Sequence, residues 1–329
     1  MQAFEYAHPR SVTEALPLLG SRWGETEILA GGTDLLSLMK NYVVTPKRVV
    51  NIKGLRELSG IRATPAGIHI GALMTLEELR TSQPMHEYPA LAQAAAGVTS
   101  PQIRNMGTVG GDLCQRPRCW YFRNEEFVCF KKGGSRCFAE NGENQYHAIF
   151  GNEGPSHIVH PSSLAVPFVA YGARFRVVGP AGEREVPAAD YFTMPTLQNV
   201  LKENVLEDEE ILTHVILPAP GAIKTGHYEV RYKQSHDWPL AFTTVVLTMN
   251  GNTISSARVV LGAVAPVPWR SKPAEAALAG KPLNAQTAAM AAEAAVSEAK
   301  PMSGNAYKVQ IAKTAVKRAI MQAAGIRTA

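Results

Sequence analysis

Four cysteines lie close together in a chain that contains no others. Cys114, Cys119, Cys129 and Cys137 fall within 24 residues of a 329-residue sequence, with gaps of four, nine and seven residues. Four thiolates are the usual ligands of a [4Fe–4S] cluster, whose ligation tolerates irregular spacing. Structural zinc usually takes closer Cys pairs, and two disulfides are a further alternative. The residues favour an iron–sulfur centre and leave zinc and disulfides open.

Two glycine pairs are the second feature that indicates chemistry. Ala30-Gly-Gly-Thr-Asp34 and Thr108-Val-Gly-Gly-Asp112 each follow an extended segment. Paired glycines let backbone N–H groups approach an anion, and the threonine hydroxyls add donors. Two such loops could hold one pyrophosphate from both sides, or each could be a simple tight turn. Neither G-x-G-x-x-G nor G-x4-G-K-[ST] is present, so a Rossmann fold and a P-loop ATPase are not indicated.

Helices and strands must position these loops, and their signals alternate along the chain. Capping and spacing signals predict helices at 11–20, 88–97, 285–299 and 306–324. β-Branched and alternating segments predict strands at 48–52, 68–70, 173–178, 184–187, 227–234, 241–249 and 253–262. Asn250-Gly251 predicts a hairpin between the last two strands. The predicted class is α+β, ending in a three-stranded antiparallel sheet with helices.

Two boundaries follow from the segments that lack such signals. Pro218-Ala-Pro-Gly221 predicts a linker, which divides the chain into domains at 1–220 and 221–329. The segment from about 113 to 155 holds all four cysteines and shows no clear period. A loop of this length inside a domain is usually functional.

Composition excludes several classes of protein. Apolar residues make up 46% of the chain and charged residues 19%, which is typical of a globular protein of about two domains. The net charge of +5 is spread along the chain, so we expect no nucleic-acid partner. No apolar run approaches the roughly 20 residues of a membrane span, and no signal peptide is recognised. We therefore expect no membrane insertion.

At the glycine loops the sequence resembles a known family. Ile28-Leu-Ala-Gly-Gly-Thr-Asp-Leu35 and Asn105-Met-Gly-Thr-Val-Gly-Gly-Asp112 are similar to the two FAD pyrophosphate loops of molybdenum hydroxylase flavoprotein subunits. That family includes xanthine dehydrogenase, carbon monoxide dehydrogenase and aldehyde oxidoreductases. Further segments resemble the family at 160–165, 209–218, 232–237 and 260–268, so the similarity covers nearly the whole chain.

The resemblance implies a PCMH-type (vanillyl-alcohol-oxidase-like) two-part FAD-binding domain, followed by a smaller C-terminal domain. FAD supplies the redox chemistry in this family, so no substrate-oxidising base is expected in this chain. Ser163 departs from the aspartate that is common there. The residues that the resemblance assigns to FAD are Ile28, Leu29, Ala30, Gly31, Gly32, Thr33, Asp34, Leu35, Thr99, Ser100, Asn105, Thr108, Gly110, Gly111, Asp112, Ser163, Leu164, Leu212 and Lys233.

The resemblance also suggests a specific role for Lys233. The family brings a lysine of this segment near the isoalloxazine ring, where a positive charge would stabilise reduced flavin. The alternatives are a solvated surface lysine or a counter-ion for the pyrophosphate.

The cysteine segment departs from most of the family, whose members join the flanking segments with only a few residues. The flavin subunits of periplasmic aldehyde oxidoreductase and of 4-hydroxybenzoyl-CoA reductase carry a [4Fe–4S] insertion here. Gly111-Asp-Leu-Cys-Gln-Arg-Pro-Arg-Cys-Trp-Tyr-Phe-Arg123 resembles the aldehyde oxidoreductase subunit most. This resemblance implies a [4Fe–4S] cluster held by all four cysteines and shielded by the aromatic residues 120–122. Nearby basic residues would attract an acidic acceptor or are simply solvated: Arg116, Arg118, Arg123, Lys131, Lys132 and Arg136.

The implied function is electron transfer within a complex. A large molybdenum-cofactor subunit oxidises the substrate, and a small [2Fe–2S] subunit passes electrons to the FAD of this chain. An external acceptor such as ferredoxin, quinone, NAD or oxygen then removes them. The expected assembly is a heterotrimer or its dimer, in the cytoplasm by default or in the periplasm by co-export with a partner. The alternative is a non-redox nucleotide-binding module in which the four cysteines hold a structural zinc ion.

Overall fold

A computed structural model describes residues 1–219, 221–233 and 236–327. The strands are β1 (Glu5–Ala7), β2 (Thr26–Leu29), β3 (Arg48–Asn51), β4 (Ile61–Thr64), β5 (Gly67–Gly71), β6 (Arg174–Gly179), β7 (Gly182–Pro187), β8 (Ile211–Pro218), β9 (Ile223–Val230), β10 (Ala241–Asn250), β11 (Thr253–Gly262) and β12 (Trp269–Arg270). The helices are α1 (Val12–Leu19), α2 (Leu35–Lys40), α3 (Leu76–Thr81), α4 (Pro89–Gly97), α5 (Pro101–Met106), α6 (Val109–Leu113), α7 (Trp120–Arg123), α8 (Ala165–Tyr171), α9 (Ala188–Tyr191), α10 (Lys272–Leu278), α11 (Ala285–Ala295) and α12 (Tyr307–Ala323). No described helix is long and apolar enough to cross a membrane.

The first sheet is parallel and has the strand order β1-β3-β2. Parallel strands cannot be joined by a tight turn, and α1 and α2 provide the crossover connections. The Ser11 hydroxyl accepts the Glu14 amide at 3.1 Å and caps α1, as the sequence predicts. Leu19, Val50 and Ile52 are buried in the core of this part. The first glycine loop leaves this sheet at the end of its edge strand β2.

The second sheet is antiparallel, with the order β4-β5-β8-β6-β7. Its central strand β8 arrives late in the chain and pairs with β5 on one side and β6 on the other. The largest core cluster lies here and includes Leu91, Phe168 and Phe175. Val109 and Leu113 of α6 are buried in the same core, so the second glycine loop is fixed to this sheet.

The third sheet is antiparallel and contains four strands in the order β12-β11-β10-β9, packed with α10, α11 and α12. The predicted number of three strands is therefore wrong, because the two-residue β12 is too short to give a sequence pattern. The predicted Asn250-Gly251 hairpin is confirmed between β10 and β11. β9 begins and ends four residues before the predicted segment 227–234, and part of that segment lies outside the described residues.

The C-terminal part holds the far end of the cysteine loop. The buried Lys308 ammonium on α12 donates to the carbonyls of Tyr146, His147 and Ala263 at 3.1, 3.0 and 2.6 Å. Asn305 adds two side-chain hydrogen bonds of 3.1 Å to the His147 and Ala148 carbonyls. The loop is therefore ordered by residues about 160 positions later in the chain.

Candidate functional site: the glycine-loop cleft and the cysteine loop

The two glycine loops meet at one cleft of about 240 Å³. An ideal Cβ on Gly31 would lie 1.9 Å from the Met106 carbonyl oxygen, and one on Gly107 would lie 3.5 Å from the Thr33 hydroxyl oxygen. The first loop therefore packs directly against the backbone that leads into the second. A residue with a side chain does not fit at Gly31 without moving one of the loops.

The first loop offers hydrogen-bond donors to this cleft. In the part of the chain that the structure describes, the amides of residues 31–33 donate to no backbone or side-chain acceptor. The second loop uses its amides internally, because Gly110 N–H donates to Ala72 O at 2.8 Å and Gly111 N–H to Thr108 Oγ1 at 3.1 Å. The amides of residues 31–33 are thus the donors that this fold presents to an anionic group.

Asp34 links the first glycine loop to the cysteine loop. Its carboxylate accepts the Arg116 amide at 2.9 Å, and it lies 2.8 Å from the guanidinium groups of Arg118 and Arg123. The Asp34 side chain is 16% exposed, so this is a largely desolvated network of charge-assisted hydrogen bonds. The loop with the unpartnered amides and the loop with the cysteines therefore share one anchor.

Glu203 forms a second anchor at the wall of the cleft. Its buried carboxylate lies 2.7 Å from Arg116 Nε and 2.6 Å from Lys131 Nζ. Lys131 Nζ also donates to the Val200 carbonyl at 2.7 Å. The Trp23 ring centroid lies 5.2 Å from the Arg116 guanidinium, in cation–π geometry. Burial lowers the pKa of Lys131, and the nearby Glu203 opposes that shift.

Three of the four cysteines share a second, small cavity. Cys119, Cys129 and Cys137 line a space of about 10 Å³, and the aromatic side chains around it are Tyr121, Phe122, Phe130 and Phe138. Burial raises the pKa of Cys119 to about 11, and the neighbouring Cys137 and Cys129 add to that shift. His147 Nε2 lies 3.2 Å from Cys119 Sγ.

Cys114 lies apart from the other three. Its side chain lines the glycine-loop cleft, and its Sγ lies 3.3 Å from the Tyr191 hydroxyl oxygen. Burial raises the pKa of Cys114 to about 11. The predicted set of four cysteine ligands is therefore not brought together: three thiols line one small cavity, and Cys114 lines the glycine-loop cleft instead. Across residues 1–219, 221–233 and 236–327, no group of three His, Cys, Asp or Glu side chains is placed to hold a metal ion.

Two protein-family models together match almost the whole chain. Residues 2–220 match the FAD binding domain in molybdopterin dehydrogenase, and residues 226–323 match the CO dehydrogenase flavoprotein C-terminal domain. The chain belongs to the FAD-binding subunits of the molybdenum hydroxylases. It is therefore a flavoprotein with an FAD-binding domain and an oxidoreductase subunit, and the predicted family and fold class are confirmed.

Individual relatives of this flavoprotein match along their whole length. It is 33% identical to the carbon monoxide dehydrogenase medium chain of Hydrogenophaga pseudoflava over 96% of each chain. It is 32% identical to the aldehyde oxidoreductase FAD-binding subunit PaoB of Escherichia coli K12, covering 98% of this chain and 99% of the relative. The solved carbon monoxide dehydrogenase of Hydrogenophaga pseudoflava that lacks the Mo-pyranopterin moiety contains a similar chain, with a TM-score of 0.77, 32% identity and 98% coverage of both.

The structure places most of the residues assigned to FAD around the glycine-loop cleft of this flavoprotein. Those that line it are Ile28, Ala30, Gly31, Gly32, Thr33, Asp34, Leu35, Thr108, Gly110, Gly111 and Leu212. Those that do not line it are Leu29, Thr99, Ser100, Asn105, Asp112, Ser163, Leu164 and Lys233.

Asp112 does not line the cleft, and its carboxylate makes hydrogen bonds inside the protein. Its buried carboxylate accepts the Ser162 hydroxyl and the Leu164 amide, the latter at 3.1 Å, and Gln115 donates to it at 2.9 Å. Burial raises the pKa of Asp112, and these hydrogen bonds oppose the shift. The aspartate of the second glycine loop thus ties α6 to the start of α8, including the segment that contains Ser163.

Thr99, Ser100 and Asn105 lie on the connection from α4 into α5 and on α5 itself. The Ser100 hydroxyl accepts the Ile103 amide at 3.2 Å and caps α5. Lys233 is exposed, and its amide donates to the Asp237 carboxylate at 3.1 Å. The following residues 234–235 of the segment that resembles the family lie outside the described residues.

Sequence reasoning missed Trp23, Glu27 and Glu203, all of which line the cleft. Burial raises the pKa of Glu27, which immediately precedes the first glycine-loop motif. Trp23 and Glu27 lie within five residues of the start of that motif at Ile28, and this nearness is the signal that could have found them. Glu203 had no local signal, because its partners lie more than 70 residues earlier in the chain.

Proposed function

We propose that this chain is the electron-transfer flavoprotein subunit of a molybdenum-dependent hydroxylase complex of the aldehyde oxidoreductase type. The observation that carries the proposal is the cleft between two opposed glycine loops, in a chain that matches flavoprotein subunits from end to end. The similarity to an aldehyde oxidoreductase FAD-binding subunit over 98% of the chain supports the substrate class.

FAD, when bound, supplies the capacity to take up electrons singly and release them to an acceptor. The unpartnered amides of residues 31–33 and the Thr108 hydroxyl would hold its pyrophosphate. Trp23 and Leu212 line the walls of the cleft. Lys233, which does not line it, would add positive charge near the isoalloxazine ring as the family resemblance implies. We propose the division of the chain at 220/221 on the same grounds, with the cleft built entirely by the N-terminal part.

The proposed complex contains a large molybdenum-cofactor subunit, where substrate is oxidised, and a small [2Fe–2S] subunit that delivers electrons to this chain. Ferredoxin, quinone, NAD and oxygen are the candidate acceptors. A basic docking surface on the cysteine loop receives little support, because Arg116 and Lys131 pair with Glu203, and Arg118 and Arg123 pair with Asp34. The proposed compartment is the cytoplasm, or the periplasm after export with a partner.

We also propose an iron–sulfur cluster, of the [4Fe–4S] type, in the cysteine loop. The support is the group of three thiols around one aromatic-lined cavity, held between the Asp34 anchor and the Lys308 contacts. Such clusters are held by cysteine thiolates, and solvent exposure is one of the factors that set their reduction potentials.

An anaerobic ultraviolet–visible spectrum with iron, zinc and flavin analysis of the purified full-length chain tests these proposals. One FAD and about four iron atoms per chain are expected, the count for one [4Fe–4S] cluster. FAD with zinc, or with no metal, would remove the cluster from the proposal and leave the flavoprotein function. A chain that binds no flavin after reconstitution would favour the non-redox binding module.

A further inference from the structure

Carboxyl groups are concentrated on the walls of the glycine-loop cleft. The acidic residues that line it are Glu27, Asp34, Glu203, Glu207, Asp208 and Glu210. Among the described residues, every one of these except Glu27 forms an ion pair with a lysine or an arginine. The pairs join Asp34 to Arg118 and Arg123, Glu203 to Arg116 and Lys131, Glu207 and Asp208 to Lys202, and Glu210 to Arg184. Glu27 is therefore the exception in a cleft whose other carboxylates are paired by the fold itself.

Glu27 lies on β2 and is half-buried. Over residues 1–219, 221–233 and 236–327, no cation is within ion-pair distance of its carboxyl group and no donor is hydrogen-bonded to it. Its oxygens are nevertheless accessible from the cleft, since they are not among the buried atoms that lack a partner. Burial raises the pKa of Glu27, Arg116 opposes the shift, and Asp34 and Glu203 add to it. Burying a carboxyl group without a partner is unfavourable, which indicates that its partner is a molecule bound in the cleft.

Glu27 is too far from the unpartnered amides of the first glycine loop to share the group that they hold. It precedes Gly31 by four residues, and an extended strand rises about 3.3 Å per residue. β2 therefore carries Glu27 on the order of 10 Å back from the amides of residues 31–33. A carboxylate would also repel a pyrophosphate. The group that Glu27 binds is thus a different part of the ligand, and it is not an anion.

The two halves of FAD differ in what they offer to a carboxyl group. The isoalloxazine ring gains electrons on reduction, and the nearby Asp34 and Glu203 carboxylates would oppose added negative charge there. The adenosine half undergoes no such change, and its ribose hydroxyl and adenine amino groups donate hydrogen bonds. The donors that match Glu27 therefore belong to the adenosine half.

We propose that Glu27 is a specificity-determining residue for the cofactor, which accepts hydrogen bonds from the adenosine half of FAD and so favours FAD over FMN. The inference rests on the proposed function, because it requires that this cleft binds FAD. In the free chain Glu27 is unpaired, and the bound adenosine supplies the partner that the fold does not. Removing Glu27 therefore weakens cofactor binding without weakening the fold, which distinguishes it from the ion-paired Asp34 and Glu203.

The test compares Glu27→Met with the wild type, both freed of flavin. Isothermal titration calorimetry measures the dissociation constants for FAD, for ADP, which contains the adenosine half, and for FMN, which lacks it. We expect the constants for FAD and ADP to rise by about tenfold each, the loss of one hydrogen bond to a charged group, while that for FMN is unchanged. Urea unfolding of the flavin-free variant should show no loss of stability.

Glu25→Met is the matched control, because Glu25 pairs with the exposed Lys47 and does not line the cleft. All three of its dissociation constants should equal those of the wild type. An unchanged affinity of Glu27→Met for FAD, a loss that ADP does not share, or an equal loss for FMN would overturn the inference. Unfolding of flavin-free Glu27→Met at lower urea than the wild type would also overturn it, because Glu27 would then belong to the fold. Wild-type chain that binds neither FAD nor ADP would instead overturn the proposed function.

Discussion

Gly31 lies against the carbonyl oxygen of Met106, at a separation that leaves no room for a β-carbon. The contact joins a loop that leaves the parallel sheet to a helix that leads into the antiparallel sheet. The two halves of the FAD-binding domain therefore touch beside the cleft where FAD is expected to bind.

Replacing Gly31 with alanine should weaken FAD binding. The added methyl group would overlap the Met106 carbonyl at 1.9 Å, and relieving such overpacking costs about 1–3 kcal/mol. Since 1.4 kcal/mol corresponds to a factor of ten in affinity, we expect the dissociation constant for FAD to rise about tenfold or more. Gly221→Ala is the matched control, because its methyl group would meet no atom within 4 Å. Equal FAD affinity in both variants would contradict the assigned contact.

The Glu203→Gln substitution should destabilise the folded chain strongly. It leaves the cations of Arg116 and Lys131 buried without their counter-charge, and breaking a buried ion pair in this way costs about 3–5 kcal/mol. Urea unfolding measures the change in the free energy of unfolding. Glu207→Gln, whose side chain is 77% exposed, should change it by less than about 1 kcal/mol. A loss at Glu203 no larger than at Glu207 would show that the buried network contributes nothing.

Lys308 should give the chain a characteristic dependence of stability on pH. Burial lowers its pKa in the folded state from 10.5 to about 7. Between these two values the unfolded chain holds a proton that the folded chain has released, so the free energy of unfolding rises with pH. The stability of the wild type relative to Lys308→Met should therefore increase by about 1 kcal/mol per pH unit from pH 7 to 10.

Urea titrations at pH 7, 8 and 9 measure this difference. Lys317→Met, at an exposed position of the same helix, provides the control and should show no such slope. A stability difference between wild type and Lys308→Met that stays constant over this range would refute the shifted pKa.

The charge of Lys233 should influence the redox potential of the flavin. Removing it in Lys233→Met takes away positive charge that stabilises the reduced form, so the midpoint potential should fall by about 30 mV, equivalent to about 1.4 kcal/mol for two electrons. Spectroelectrochemical titration of the FAD-loaded chain measures this shift. Lys224→Met, on the exposed side of β9, should leave the potential unchanged. An unchanged potential in Lys233→Met would assign Lys233 to the solvated surface.

Local signals predicted much of this fold. The Ser11 hydroxyl accepts the Glu14 amide and caps α1 as predicted, and the Asn250-Gly251 turn joins β10 and β11 as predicted. Both features depend on residues within four positions of one another. The edge strand β12 was missed because a two-residue strand is defined only by its pairing with β11.

The sequence predicted the parts of the candidate site that depend on local backbone conformation. It predicted less well the parts in which side chains distant in sequence come into contact. Gly31 and Gly111 line the cleft, as the glycine pairs predicted, because a residue without a side chain allows close approach of the backbone wherever it occurs. The cysteines indicated one loop but not the grouping within it, since spacing along the chain does not show that Cys114 turns to Tyr191, 77 residues later. Four of the basic residues that suggested a solvated or docking surface form ion pairs inside the molecule instead. Arg118 and Arg123 pair with Asp34, and Arg116 and Lys131 pair with Glu203.

The central place of β8 in the five-stranded sheet has a consequence for the way the chain is made. β5 leaves the ribosome about 140 residues before β8, the strand that must pair with it. At about 5–20 residues per second, one edge of β5 stays open for roughly 7–30 s during synthesis. The second glycine loop and the whole cysteine segment emerge in that interval, before the sheet that supports the cleft is complete. Because Leu212 of β8 also lines the cleft, we expect FAD to bind only after residue 218 has left the ribosome.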